Sequence, residues 1–400
     1  MSQVHGFSVP FRFPVCFTRH AFHIDNPLVA DIASEREPGR RHRLLFVLDS
    51  HVLSAHPELP TDIAKYVDSF SNRLTLAAPP VVVPGGESVK NDLSHTLLLL
   101  KDINDAGLDR QSFVVVVGGG AVLDMASFAA AIAHRGIRVI RFPTTVLSQA
   151  DSGIAVKNGV NLFGKKNFMG TFVPPFAVVN DAAFLESLEM RDRISGVVEA
   201  IKVALLKDAV FFRRIELGAN QIAAGDLNAI VPIIQRSAEL HLAHICGNGD
   251  PFELGSARPL DFGHWAAHKL ESITSHRLRH GEAVAIGIAL DLAYSVKMGF
   301  LDQASAGRIA GLLARVGFAL WDDALTAREK GGGSAILKGL QEFREHLGGE
   351  LHITQLRAIG RSFEVTEMDE AVVLESIDEL RTAAAAQPRS RSFGASHRRR

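Results

Sequence analysis

The run Val114–Val117 passes straight into Gly118-Gly119-Gly120, and an alanine-rich helical pattern follows from Ala121 to His134. Consecutive β-branched residues with no polar alternation fit a strand buried on both faces, as in a parallel sheet covered by helices. Short apolar runs at Leu44–Leu48, Val81–Val83 and Arg138–Phe142 also alternate with helical patterns, so the first half reads as α/β. After Asp181 the strand signals fade. Amphipathic segments take over at Arg191–Arg214, Asn228–Ile245, Phe262–Ile273, Gly281–Met298 and Asp302–Val316, so the second half reads as all-α. We expect an α/β domain over residues 1–180, a helical domain over 181–382 and a solvated basic tail over 383–400, with the ligand cleft between the halves.

The glycines let the backbone turn sharply and approach a pyrophosphate, while the helix start supplies unpaired N–H groups and positive dipole. Asp49 closes an earlier strand, where a carboxylate can accept hydrogen bonds from an adenosine ribose. A plain strand-to-helix turn and a loop-capping aspartate fit the same residues. The formal net charge of −1 gives no whole-chain field to draw in nucleic acid or an acidic membrane, so any anion must be held by a local cluster. Only Cys16 and Cys246 are present, no signal-like segment opens the chain, and no apolar run approaches the roughly 20 residues that span a bilayer. A reducing cytoplasm is the expected compartment.

Two further groups of residues carry chemistry. Glu199, His264 and His280 supply one carboxylate and two imidazoles, a three-ligand set that leaves a zinc ion an open position. A cation there lowers the pKa of a bound hydroxyl. With 17 histidines in the chain, pairing of two by chance is easy, so the spacing alone leaves a structural role open. His268, four residues beyond His264, lies on the same helical face as a supporting base or a buried, satisfied histidine. Between the halves, Thr144-Thr145, Asp151, Lys157, Asn161 and Lys166-Asn167 form a loop-rich stretch that concentrates lysines and amides. Such a stretch can hold a phosphate monoester; a solvated lysine loop is the plainer alternative.

Taken together, Gly118-Gly119-Gly120 with Asp124, Arg135-Gly136, Pro143-Thr144-Thr145, Asp151, Lys157, Lys166-Asn167, Glu199 with Lys202, Arg258, Phe262-Gly263-His264, His268 and His280-Gly281-Glu282 resemble the sugar phosphate cyclases, whose best-known member is 3-dehydroquinate synthase. The motifs run in family order over about residues 45–365. The resemblance implies a Rossmann-like N-terminal domain, a helical C-terminal domain and a homodimer. It implies NAD held by Asp49, Glu87, Lys90, Gly118, Gly119, Gly120, Asp124, Thr144, Thr145 and Ser187, and zinc or cobalt on Glu199, His264 and His280. It assigns Asp151, Lys157, Lys166, Asn167, Lys202, Arg258, Asp261, His268 and His346 to substrate and catalysis, with Arg135 reaching a phosphate across the dimer interface. The implied chemistry has no net redox change: an alcohol is oxidised, phosphate is eliminated, the hydride is returned, and an aldol closure forms the carbocycle.

The sequence departs from dehydroquinate synthases in one region. Leu260-Asp261-Phe262-Gly263-His264 carries Asp261 where they usually have asparagine, and Phe343-Arg344-Glu345-His346-Leu347-Gly348-Gly349 replaces a late Asp-Lys-Lys segment. A further family lysine before Arg258 is missing, with His241 and His244 nearest to its place. Losing lysines and gaining a carboxylate disfavours a substrate carboxylate and resembles the sedoheptulose 7-phosphate cyclases, including the valiolone-forming synthases. His268 keeps dehydroquinate synthase as the alternative. Glycerol dehydrogenase-like, metal-dependent alcohol dehydrogenases share the glycine loop and helical domain, and a catalytically silent binding protein on this scaffold is a third reading.

Overall fold

The computed structural model describes residues 2–163, 165–247, 251–252, 260–346 and 350–386. Two compact units emerge, Met1–Ser187 and Leu188–Arg400, dividing the chain a few residues beyond the boundary expected at 180. Among the described residues no helix is long and apolar enough to cross a membrane.

The first unit holds a parallel sheet of β1 (Val15–Thr18), β2 (His42–Asp49), β3 (Leu74–Leu76), β4 (Val81–Val83), β5 (Phe113–Gly118), β6 (Arg138–Pro143) and β9 (Ala177–Asp181) in the order β1-β9-β6-β5-β2-β3, with β4 also on β2. Register places Leu48 beside Val117 and Gly118 beside Pro143. Parallel pairing therefore brings Asp49, Gly118 and Pro143 to one edge. Alternate residues feed two cores: Leu44, Phe46, Val115 and Phe142 face one helical layer, and Leu45, Val47, Val116 and Val139 the other. Burial on both faces explains the unbroken apolar runs. The β2 to β3 and β4 connections run to one side of β2 and the β5-β6-β9 series lies on the other, so the switch in direction falls between β2 and β5. Open α/β sheets bind ligands at the carboxyl ends beside such a switch.

The segment read as loop-rich contains an antiparallel hairpin, β7 (Lys157–Leu162) with β8 (Lys165–Phe172). Its strands are partly exposed and carry Lys and Asn, so they lack an apolar signal. The helix expected through His134 ends at Ile132 (Gly120–Ile132), because His134 and Arg135 take positive φ values of 50° and 64°.

The second unit is helical: Met190–Ser195, Val197–Lys207, Ala209–Leu217, Leu227–Gly247, His264–Ile273, His280–Lys297, Gln303–Val316, Ala335–His346 and Glu370–Ala386 are its main helices. The single segment expected over 191–214 is broken at Gly196 and again at Asp208, whose carboxylate caps Ala209–Leu217 by accepting from the N–H groups of Val210 and Phe211. The unit also contains an antiparallel hairpin, β10 (Ile353–Ala358) with β11 (Arg361–Val365), absent from the all-α expectation. Ala383–Ala386, expected in the tail, continue the last helix, consistent with alanine's high helix propensity. The basic remainder of the tail lies outside the described residues.

Candidate functional site

In the first unit the loop after β5 sits against the end of β2. The Asp49 carboxylate accepts from His51 N at 2.8 Å and Gly119 N at 3.3 Å, so it caps its own helix and ties down the glycine loop. A Cβ on Gly118 would stand 3.0 Å from the Cβ atoms of both Asp49 and Val122, leaving little room there for a side chain. Thr144 N donates to Gly118 O at 3.1 Å, and Thr145 forms a capping box with Ser148. Asp49, Gly118, Gly119, Gly120, Thr144 and Thr145 thus gather at the carboxyl edge of the sheet.

A second group forms around Lys90, which is 2% exposed. Its ammonium lies 2.6 Å from the Asp124 carboxylate and 3.9 Å from that of Glu87, and it also donates to Asn167 Oδ1. Asn161 joins Glu87 to this hairpin, donating to Oε1 at 3.2 Å and accepting from Asn167 N at 2.8 Å. Lys90, Asp124 and Asn167 therefore bind one another. Asp151 ends the helix Val146–Ala150, Lys157 begins β7 exposed, and Lys166 lies half-buried on β8. Ser187 Oγ is hydrogen-bonded to His56 Nε2 at 2.8 Å, and Arg135 is exposed in the left-handed turn after the glycine helix.

The second unit brings Glu199, His264 and His280 together, one ligand atom from each lying within 4.8 Å of the others. Glu199 is fully buried on Val197–Lys207; its Oε1 is 3.6 Å from His264 Nε2 and 3.5 Å from His280 Nε2. Both imidazoles thus turn the same nitrogen toward the carboxylate. The other nitrogens face oxygen atoms: His264 Nδ1 is hydrogen-bonded to Phe262 O at 3.1 Å, and His280 Nδ1 lies at an ion-pair distance of 3.2 Å from Glu271 Oε2. A carbonyl at Nδ1 selects for His264 the tautomer whose Nε2 lone pair is available to a cation, and the nearby Glu271 carboxylate favours a proton on the same nitrogen of His280. Two neutral imidazoles and a carboxylate at this spacing fit a divalent ion with an open coordination position. Lys202 Nζ lies 2.5 Å from Glu199 Oε2, and the His268 ring is 5.6 Å from that of His264 and 6.2 Å from that of His280.

Local packing fixes this constellation. Gly263 has φ 77°, and a Cβ there would stand 2.7 Å from Ile288 N, so helices His264–Ile273 and His280–Lys297 cross backbone to backbone. Asp291, fully buried, accepts from Gly263 N at 2.9 Å and Trp265 Nε1 at 2.8 Å, gripping both neighbours of His264. Burial pushes its carboxyl up to about 7, against the downward pull of those donors and of Gln355. Sequence reasoning missed Glu271 and Asp291. Glu271 is two helical turns after His264, a spacing that could have found it.

Asp261 is half-buried just before this helix, and its carbonyl accepts from His264 N at 3.0 Å. Arg258 and the side chain of His346 lie outside the described residues.

Comparison with known proteins agrees with this layout. The 3-dehydroquinate synthase N-terminal family model matches residues 80–195 and the C-terminal one residues 196–330. The 3-dehydroquinate synthase of Geobacter sp. (strain M21) is 40% identical over 240 residues, 60% of this chain; the chain spans 65% of that relative's length. The 2-epi-5-epi-valiolone synthase of Streptomyces glaucescens is 34% identical over 266 residues, 66% of this chain and 67% of its own. Among solved structures, the 2-epi-5-epi-valiolone synthase of Streptomyces hygroscopicus subsp. jinggangensis 5008, with NAD+ and Zn2+ bound, superposes with a TM-score of 0.83 at 25% identity, covering 96% of this chain and 100% of that one.

Proposed function

The chain belongs to the 3-dehydroquinate synthase family of sugar phosphate cyclases, and from that premise we propose that it cyclises sedoheptulose 7-phosphate to a C7 cyclitol with loss of phosphate. The observation that carries the chemistry is the Glu199–His264–His280 cluster, with Lys202 against its carboxylate and His268 beside its imidazoles. NAD, when bound, supplies a reversible hydride acceptor, and zinc or cobalt supplies a Lewis acid for hydroxyl and carbonyl oxygens. Glu199, His264 and His280 would hold the ion, and the edge formed by Asp49, Gly118–Gly120 and Thr144-Thr145 would hold the nucleotide, with Glu87, Lys90, Asp124 and Ser187 supporting it.

In this reading Lys202 orients the Glu199 carboxylate, and the Phe262 carbonyl and Glu271 keep protons on the outer nitrogens of the two imidazoles. His268 carries a proton to and from the sugar. Lys157, Lys166, Asn167, Arg258 and His346 bind substrate hydroxyls and phosphate with Asp151, and Arg135 serves the partner protomer of a homodimer. The expected compartment is the cytoplasm.

Substrate choice rests on Asp261. At an effective dielectric of about 20, two like charges about 5 Å apart repel by roughly 3 kcal/mol, on the order of a hundredfold in rate. A neutral hydroxymethyl group instead donates to the carboxylate. The experiment compares sedoheptulose 7-phosphate with the carboxylated heptulosonate phosphate, following phosphate release and NADH absorbance together. We expect higher kcat/KM for the neutral sugar, a smaller gap in Asp261→Asn, and phosphate far in excess of NADH. Equal or better use of the carboxylated substrate makes the protein a 3-dehydroquinate synthase; stoichiometric NADH makes it a dehydrogenase.

A further inference from the structure

A cavity of about 540 Å3 opens at the amino-terminal edge of the sheet, opposite the strand ends that carry Asp49 and Gly118. Five arginines line it, Arg12, Arg36, Arg110, Arg138 and Arg141, and no carboxylate is among its described lining residues. Arg141 is 1% exposed within β6. Its Nε donates to Ser127 Oγ at 3.0 Å and its Nη1 to the carbonyls of Gly153 and Ala155 at 3.3 and 2.6 Å, all neutral partners. Its Nη2 is buried and has no hydrogen-bond partner among the described residues. Asp124, the carboxylate that acts on it at longer range, is bound to Lys90. A buried cation without an opposite charge in contact is costly to keep. Burial draws its pKa down to about 10, so it is still charged at neutral pH.

The rest of the lining repeats the excess. Arg138 is engaged by Glu37 at 2.8 Å and by Gln111, while Arg12, Arg36 and Arg110 are exposed at the mouth. Pro174, Pro175 and Phe176 form an apolar wall, with the guanidinium of Arg36 4.4 Å from the Phe176 ring centre. The volume is that of a small-molecule site. A phosphate monoester carries close to two negative charges and several acceptor oxygens, which suit clustered guanidiniums better than one carboxylate does.

We propose that this cavity binds a small phosphate-bearing molecule, its phosphate among the arginines and its carbon skeleton along Pro174–Phe176. None of these residues belongs to the nucleotide, substrate or ion assignments above. Two sources share this chemistry, free inorganic phosphate and a phosphomonoester. The test titrates inorganic phosphate and ribose 5-phosphate by calorimetry into the full chain loaded with NAD and zinc. The expected result is a binding event that survives Lys157→Ala but weakens at least tenfold in Arg141→Gln and in the double variant Arg36→Ala, Arg110→Ala. The exposed pair keeps the test decisive if Arg141→Gln does not fold. Tighter binding of ribose 5-phosphate identifies a phosphomonoester site, and equal binding identifies a site for phosphate itself. Unchanged titrations in both the Arg141 and the double variant, or loss of all phosphate binding in Lys157→Ala, would overturn the proposal.

Discussion

Replacing Gly263 by alanine tests the link between helix crossing and ion binding. At φ 77° a side chain is costly, by roughly 1–2 kcal/mol for a non-glycine residue in the left-handed region. The new Cβ would stand 2.7 Å from Ile288 N, 2.9 Å from Ile288 Cγ1 and 3.0 Å from Gly287 C, so backbone must move, adding about 1–3 kcal/mol for overpacking. The sum is about 2–5 kcal/mol of lost stability. Because His264 starts one of the crossing helices and His280 the other, the same movement spreads the ion ligands. Zinc affinity should fall about 10- to 100-fold, the usual scale when the support of a ligand is lost. Urea unfolding of the metal-free protein measures the first quantity, and competition with a chromophoric chelator the second. Gly311→Ala is the control: it lies in the helix Gln303–Val316 with nothing within 4 Å of the added Cβ, and should gain up to about 1 kcal/mol. A Gly263→Ala protein that loses less than about 1 kcal/mol and binds zinc like the parent refutes the reasoning.

His264→Ala and His280→Ala should each leave the purified protein without stoichiometric zinc by elemental analysis; full occupancy in both would remove the ion assignment. Burial holds the Asp291 carboxyl at about 7, above the ordinary carboxylate value of 3.8, so the folded state retains a proton that the unfolded chain has lost, and between those values its contribution to stability falls as pH rises. The stability of Asp291→Asn relative to the parent should therefore rise by about 3 kcal/mol from pH 5 to pH 8 in chemical unfolding, and a pH-independent difference contradicts the assignment. Lys90→Met removes the partner of Asp124 and Asn167 and should weaken NAD binding in direct titration; unchanged affinity would reduce Lys90 to a purely structural role.

The parts of this fold legible in sequence are those where burial is one-sided in composition. β2, β5 and β6 announce themselves because both faces are covered and each carries a central apolar run, unbroken in β5 and over Leu44–Leu48 in β2. The Glu199–His264–His280 cluster was legible through residue type and family pattern, while its support was not. Glu271 and Asp291 sit in amphipathic helices, where a carboxylate reads as solvent-facing until the tertiary crossing buries it. β1 and β9 are short, and β1 is only partly buried, so neither rises above a loop in the sequence. The hairpin β10–β11 did carry a signal: Ile353 to Val365 is interrupted by Gly360 at φ 83°, a turn position suited to glycine. Arg141, a charged residue within β6, carries no sequence signal of burial and is among the largest fully buried side chains of the described residues.

The outermost strand of the sheet is also the first to be synthesised. Among the described residues β1 pairs only with β9, in parallel, so Val15–Thr18 has no strand to join until Ala177–Asp181 has been made and has docked on β6. Such a contact adds nothing until its long intervening loop is closed, which makes it a late event in folding. The N-terminal strand then acts as a latch: while it is open, β9 presents a row of unpaired amides and carbonyls to any neighbouring chain. Nascent chains crowded on one message are most exposed to strand exchange in that interval, before the latch shuts.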